Sequence, residues 1–455
     1  MSQPPVKTSR DSFGSKFGVV AAAAGSAVGL GNIWKFPYIT GVYGGAAFIF
    51  VYIAFIMAIG LPVMFSELII GRRSGRNAFG AFKKLAPGSS WKYIGLLGIG
   101  AAFMILSFYG VVAGWSVEYI ILSISNGFSS KSPEQLGSLF TSLIESPGRP
   151  VVMQLIFMGL TAAIVLGGVK KGIEKSTKIL MPLLVVILLA LDFKALSLEG
   201  AIKGVEFLFK PDFSKLTSEG VLSALGHAFF SLSLGMGTLI TYGSYIDRKN
   251  DLLKTAVEVT LADTIIAILA GIAIFPAVFA FNIEPSSGPG LVFITLPNVF
   301  QLMPGGFLFS ILFFILLTVA ALTSSISILE VVVAYFKEEF KIPRKAATII
   351  ATVLISVLGV FCSFSMGIWD SYKIFGLNFF DLMDWISANM LLPLGGLFIA
   401  LFIGWFLGPG KAYHEALKGG SITRNLIQVF IFLVRFIAPI AIAIVFLNGI
   451  GLLKF

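Results

Sequence analysis

Gly25-Ser26-Ala27-Val28-Gly29-Leu30-Gly31-Asn32 sits in the middle of an apolar run that extends over residues 14–40. A second run, 220–245, is interrupted in the same way by Phe230-Ser231-Leu232-Ser233-Leu234-Gly235-Met236-Gly237. Each run is long enough to cross a bilayer as a helix, and each breaks its own helix with small polar residues and glycine. In hydrocarbon a broken helix leaves backbone groups without partners, at several kcal/mol each. Such breaks persist where the freed groups line a cavity and hold something, and a pair of them points to the midplane site of a carrier.

Composition agrees with a membrane setting. Of 455 residues, 57% are hydrophobic and only 12% charged, about half the charged fraction of a soluble domain. The net charge of +10 suits nucleic acid in a soluble protein, but here the lysines and arginines gather in loops and mark a cytoplasmic face; no nucleic-acid partner is expected. The single cysteine, Cys362, excludes a disulfide within the chain. The polar, basic start MSQPPVKTSRDSFGSK has no cleavage pattern of a signal peptide, so the first span is expected to stay.

At about 20 apolar residues per crossing, candidate spans lie at 14–40, 45–70, 92–124, 151–168, 176–192, 220–245, 252–282, 305–336, 346–363, 378–406 and 423–448. The basic clusters Arg72/Arg73/Arg76/Lys83/Lys84, Lys170/Lys171/Lys175/Lys178, Arg248/Lys249/Lys254 and Lys337/Lys341/Arg344/Lys345 fall in alternate loops. That places the N-terminus inside. The broken spans are the first and the sixth, so equivalent positions are five crossings apart and the second copy enters from the opposite side. The expected fold is an all-α polytopic membrane protein. It comprises a cytoplasmic segment (1–13), an inverted repeat of five spans each (14–192 and 220–406) and an added span (423–448).

Several side chains inside these spans carry chemistry. Asn32 offers a hard carbonyl oxygen suited to an alkali cation, and Gly29 and Gly31 let a ligand approach the backbone. Glycines also simply pack helices in membranes; it is the second break and the neighbouring Asn32 that favour a site. Thr323-Ser324-Ser325 in span eight are three consecutive hydroxyls that cannot all face lipid cheaply, although one alone would only bond the carbonyl a turn back. Asp263 is an intramembrane carboxylate in span seven, a functional candidate by position. His227 stands one turn before Ser231, with no third group to orient a nucleophile, so an intramembrane hydrolase is disfavoured. Lys35 and Asp384 could latch the outer ends of spans one and ten, or snorkel separately; Arg10 and Glu338 are their cytoplasmic analogues.

The segments GSAVGLGNIWKFP (25–37), FFSLSLGMG (229–237), ALTSSISIL (321–329) and FDLMDW (380–385) together resemble the neurotransmitter:sodium symporter family, in particular its bacterial amino-acid transporters. The likeness runs over nearly the whole chain. It implies two sodium sites: a first from Ala27, Asn32, Ser231 and Asp263, and a second from Gly25, Val28, Ala320, Thr323 and Ser324. It implies a substrate pocket lined by Ala27, Gly29, Leu30, Gly31, Ile105, Tyr109, Phe230, Ser231, Ser233, Met236, Ser324 and Ile328. Phe230 and Tyr109 would form the lid. An outer gate of Lys35 and Asp384 follows, with lysine where arginine is usual. An inner gate follows from Arg10, Tyr245 and Glu338, with Phe13 where tryptophan is common. Gly172 and Pro182 match a motif that lets span five unwind.

The resemblance also bears on the cargo. Gly29 stands where monoamine transporters of the family carry aspartate, so an amine alone would lack its counter-ion, whereas an amino acid brings a carboxylate. The apolar wall of Ile105, Phe230, Met236 and Ile328 implies a hydrophobic or aromatic amino acid, which such a pocket sorts by only ~1–3 kcal/mol per methylene. Bacterial members replace chloride with a fixed carboxylate in span seven, a part that falls to Asp263 near Tyr52, His227 and Ser231. The expectation is a chloride-independent, sodium-coupled symporter in a bacterial inner membrane, and no enzyme. A proton-coupled carrier using Asp263 and His227, and a transporter-like sensor that binds without turnover, remain alternatives; oligomeric state is left open.

Overall fold

The computed structural model of the chain describes residues 11–283, 288–420 and 423–453. Among the described residues, nine helices are long and apolar enough to cross a membrane: Ala46–Ser74, Lys92–Ile124, Arg149–Leu166, Val169–Leu196, Leu252–Ala280, Gly306–Glu339, Arg344–Phe364, Phe379–Leu407 and Asn425–Gly449. A tenth crossing is the pair Lys16–Ala27 and Gly31–Val42, bent by 51°. The second interrupted run forms two helices, Ser218–Ser231 and Thr238–Gly243, each too short to cross alone. These are the two runs whose sequence demanded a break. No strand forms among the described residues, where the one β-type pairing is an isolated bridge between Ile374 and Leu377.

The fifth span is longer than expected. It runs from Val169 to Leu196 and opens on a wide π-helical turn, Val169–Glu174. The lysines at 170, 171 and 175 had masked its start, because charged residues lower the apolarity of a helix that has already begun. Short helices fill the connections: Ala78–Leu85, Pro133–Glu145, Ile202–Phe209, Leu291–Leu302 and Pro409–Ala416.

Spans three and eight, 33 and 34 residues long, pack against each other through the centre of the bundle. Without a hydrophobic drive between helices in lipid, small residues and hydroxyl pairs hold such contacts. Ser116 and Thr318 hydroxyls lie 2.9 Å apart, as do those of Thr161 and Ser325. The outer surface carries Phe50, Val186, Phe193 and Ile440, each more than 60% exposed, as suits a protein whose solvent is hydrocarbon. Glycine permits the closest approaches: a Cβ on Gly71 would stand 2.1 Å from the Ile240 carbonyl oxygen, and one on Gly395 2.4 Å from that of Gly235. Spans two and ten are thereby seated against the second broken span, and its opened backbone lies in the middle of the molecule.

Candidate functional site

The first break is at Val28, whose ψ of 107° ends the helix. Its freed groups find side-chain partners. The Gly29 amide donates to Asn32 Oδ1 at 3.1 Å and the Leu30 amide to Tyr109 Oη at 3.1 Å. The Ser26 carbonyl accepts from Ser233 Oγ at 2.8 Å and from Ser324 Oγ at 3.2 Å. Ser327 Oγ donates to Ser26 Oγ at 2.9 Å. In the second break Ser233, Gly235 and Gly237 all have positive φ, a conformation costly for serine. Ser233 is held in it by the bond to Ser26. The Gly235 amide donates to Glu67 Oε1 at 2.7 Å. The two breaks are therefore tied directly to each other and to spans two, three and eight.

Beside the first break, Asn32, Ser231 and Asp263 form one buried cluster. Asn32 Nδ2 donates to Asp263 Oδ1 at 2.7 Å and to the Asp263 carbonyl at 3.1 Å, and lies 3.3 Å from Ser231 Oγ. Ser231 Oγ lies 2.9 Å from both carboxylate oxygens, and Tyr52 Oη donates to Oδ2 at 3.3 Å. The oxygens gathered here are the Asp263 carboxylate and carbonyl and the Ser231 hydroxyl, with the Asn32 amide nitrogen turned toward them and its Oδ1 held by the Gly29 amide. His227 packs between the rings of Phe36 and Tyr52, at 5.8 and 5.4 Å, and neither ring nitrogen has a hydrogen-bond partner. Ser231 thus donates to Asp263 and not to the imidazole, which removes the nucleophile–base bond a hydrolase would need.

A second oxygen cluster lies across the break. Thr323 Oγ1 lies 3.4 Å from the Val28 carbonyl and 3.0 Å from that of Ala320. A Cβ on Gly25 would meet Thr323 Cβ at 3.2 Å. Four of the five residues implied for a second cation are so gathered at one point. The fifth, Ser324, turns its hydroxyl to the Ser26 carbonyl one step away.

Between the clusters is a narrow cavity of about 10 Å³. Ala27, Gly29, Leu30, Gly31, Ile105, Tyr109, Phe230, Ser231, Ser233, Met236, Ser324 and Ile328 all line it. Above it opens a wider vestibule of about 190 Å³, which shares Leu30, Gly31, Tyr109 and Phe230 with the cavity and also reaches Trp34, Phe108, Lys35 and Asp384. Phe230 lines both spaces. Lys35 and Asp384 both face the vestibule but form no ion pair: the Lys35 ammonium lies 4.6 Å over the Phe230 ring instead. The two charges of the expected outer latch thus stand apart in this structure. Lysine is a flexible point charge, and the aromatic face nearby supplies it with a partner.

On the opposite side, the Phe13 amide donates to the Tyr245 carbonyl at 3.2 Å, and the Phe13 ring meets Tyr242 and Tyr245 edge-on. Gly14 N and Ser15 Oγ donate to Glu174 at 2.6 and 2.9 Å. Tyr245 Oη donates to Glu330, which also pairs with Arg344. Glu338 accepts from Asn77 at 3.0 Å. Arg10 lies outside the described residues. Gly172 belongs to the π turn that opens span five, and Pro182 lies inside the helix that follows. Glu67, Glu174 and Glu330 escaped the sequence reading. Glu67 carried a usable signal, a carboxylate within the apolar run 61–70, the same argument that singled out Asp263.

Comparison with known proteins accords with this arrangement. The model of the sodium:neurotransmitter symporter family matches residues 10–134 and 135–454. A sodium-dependent transporter of Bacillus subtilis is 42% identical over 443 residues, covering 97% of this chain and 98% of its own. One of Haemophilus influenzae is 37% identical over 454 residues, covering 97% and 98%. Among solved structures, MhsT in complex with L-phenylalanine is similar at a TM-score of 0.90 and 50% identity, over 97% of this chain and 100% of that one.

Proposed function

The chain belongs to the sodium:neurotransmitter symporter family, and from that premise we propose that it carries a hydrophobic or aromatic L-amino acid with two sodium ions, independently of chloride. It is a sodium-dependent, multi-pass membrane symporter and not an enzyme. The finer reading is carried by the central cavity. Ile105, Phe230, Met236 and Ile328 make its walls apolar, so a charged side chain would lose its water there without compensation. Gly29 leaves no acid to neutralise a lone amine, whereas a substrate carboxylate can reach the Tyr109 hydroxyl and the cation cluster. The L-phenylalanine of the similar MhsT complex is a ligand of this class.

One sodium ion belongs to Ala27, Asn32, Ser231 and Asp263, and the other to Gly25, Val28, Ala320, Thr323 and Ser324. Asp263 supplies the fixed negative charge that makes chloride dispensable. Sodium orders the breaks, and the amino acid then brings Phe230 down on Tyr109. Inner release follows when the bonds of Phe13, Gly14 and Ser15 yield and span five loosens between Gly172 and Pro182. In this reading 14–192 and 220–406 are the two inverted halves, 423–448 is an addition, and the N-terminus faces the cytoplasm of a bacterial cell.

The test is uptake of labelled phenylalanine into proteoliposomes, in sodium or choline and in chloride or gluconate, with each of the twenty amino acids as competitor. Uptake should need sodium, ignore chloride, and yield to apolar and aromatic competitors but not to glutamate or lysine. Equal uptake in choline would point to a proton carrier using Asp263 and His227. Sodium-dependent binding without accumulation would point to a sensor.

A further inference from the structure

Arg435 lies within the last apolar span, Asn425–Gly449, and an arginine there needs a partner. Among the described residues it has no ion pair, and its Nε is shut off from solvent without a hydrogen-bond acceptor. Its guanidinium lies 4.1 Å over the Trp405 ring and 5.6 Å from that of Phe436. Those rings do not enclose it within the protein: Trp405, Phe432 and Phe436 are 54%, 53% and 42% exposed on the face that meets lipid.

The depth of this group follows from packing. Gly395 touches the Gly235 carbonyl in the central break, and Gly404, on the same span, touches the Arg435 backbone, where a Cβ would be 3.0 Å from Cα. From 395 to 404 is nine residues, about 14 Å of helix, against a hydrocarbon half-thickness of about 15 Å. The direction is toward the basic loops, since the next helix, Pro409–Ala416, carries the Glu415 that pairs with Arg72. Along its own span Arg435 is ten residues inside Asn425, so it is the long side chain, by snorkelling, that reaches the hydrocarbon boundary of that leaflet. Both spans widen into π turns at this level, Phe402–Leu407 and Leu433–Ile437, a local geometry frequent at functional sites. Trp405 Nε1 donates to the Arg435 carbonyl at 3.1 Å, which fixes the ring under the guanidinium.

We infer that Arg435 and Trp405 form a binding site for the phosphate of an anionic phospholipid headgroup in the leaflet on the basic-loop side. The ring takes one face of the guanidinium, and its terminal Nη groups, rather than the enclosed Nε, are the donors for a phosphate, whose oxygens match that fork. Anionic lipids are the abundant phosphates at this depth. The inference rests on the bilayer orientation proposed above but not on the transported substrate.

The test uses delipidated full-length protein in detergent, with phosphatidylglycerol, phosphatidylcholine and inorganic phosphate titrated separately and bound lipid counted by native mass spectrometry. Phosphatidylglycerol should bind at least tenfold more tightly than phosphatidylcholine. Arg435→Gln should lose that preference, Arg435→Lys should keep part of it, and Trp405→Leu should weaken it without altering sodium-dependent phenylalanine binding. If Arg435→Gln proves unstable, Trp405→Leu alone decides. Unchanged phosphatidylglycerol preference in these variants would overturn the site. So would competition by millimolar inorganic phosphate equal to that of the lipid, which would make the ligand a free anion.

Discussion

Gly29 shows how much one missing carbon can decide. A Cβ at this position would stand 2.8 Å from the Tyr109 hydroxyl and 3.0 Å from Ser324 Cβ, inside the cavity proposed for the substrate. Gly29→Ala should weaken phenylalanine binding at least tenfold, or about 1.4 kcal/mol, as read by scintillation proximity. Gly100→Ala is the control: nothing lies within 4 Å of its Cβ, so binding should be unchanged and the helix gain up to ~1 kcal/mol. Asp263 is decisive for a different reason. Asn32, Ser231 and Tyr52 all donate to its carboxylate. Asp263→Asn removes the charge while keeping the volume, and uptake should then require chloride or vanish. Full uptake in gluconate would remove Asp263 from the charge balance.

At the level of elements, the interest lies in what replaces the helix bonds that the breaks give up. In the second broken span Glu67 from span two takes the Gly235 amide. Glu67→Ala leaves a buried donor unpaired, which costs about 1–3 kcal/mol, and should lower both the thermal midpoint and uptake. Glu67→Gln keeps an acceptor and should lose clearly less of each; equal losses would mean that charge, not hydrogen bonding, holds the break. The breaks themselves were legible because glycine and serine in an apolar run violate the energetics of a continuous helix. Their props were less so. Ser327 and Glu174 are ordinary residues in sequence, Glu67 stands out only as a carboxylate in an apolar run, and the folding of distant spans alone brings the three to Ser26, Gly14 and Gly235.

Across the whole molecule, the nine crossings among the described residues, ten with the bent pair, could be read from apolar run length, because the bilayer sets that length for every span alike. The start of span five was the exception, since its lysines belong to a helix already under way. The pairing of Lys35 with Asp384 was not legible either: two charges near the same mouth need not meet, and the Phe230 ring draws the lysine aside. Long-range ion pairs are a related case. Arg72 and Glu415, 343 residues apart, form a pair with side chains 1% exposed, and Arg72 also donates to the Asn250 and Glu415 carbonyls. This joins span two, the loop after span six and the helix after span ten. Arg72→Ala should therefore destabilise by about 2–3 kcal/mol, short of the ~3–5 kcal/mol of a fully stranded carboxylate, because Lys418 stays 2.8 Å from Glu415. Lys373→Ala, from a pair whose side chains are 39% and 61% exposed, should cost at most about 1 kcal/mol. Thermal unfolding in detergent distinguishes the two.

The unlatched mouth has a consequence for which molecules arrive at all. Lys35 and Asp384 present opposite charges to the same vestibule without cancelling each other by contact. A zwitterion can turn its carboxylate toward one and its ammonium toward the other, and so is drawn in and aligned before it reaches the cavity. A simple amine or acid is attracted by one wall and repelled by the other. Selection then begins as a difference in capture rate, and such steering fades as salt shortens the reach of charge to about 10 Å at 0.1 M. The association rate of phenylalanine should fall with added salt at fixed sodium, while its dissociation rate stays constant. Stopped-flow binding measures both, and Lys35→Gln should flatten the salt dependence of the first.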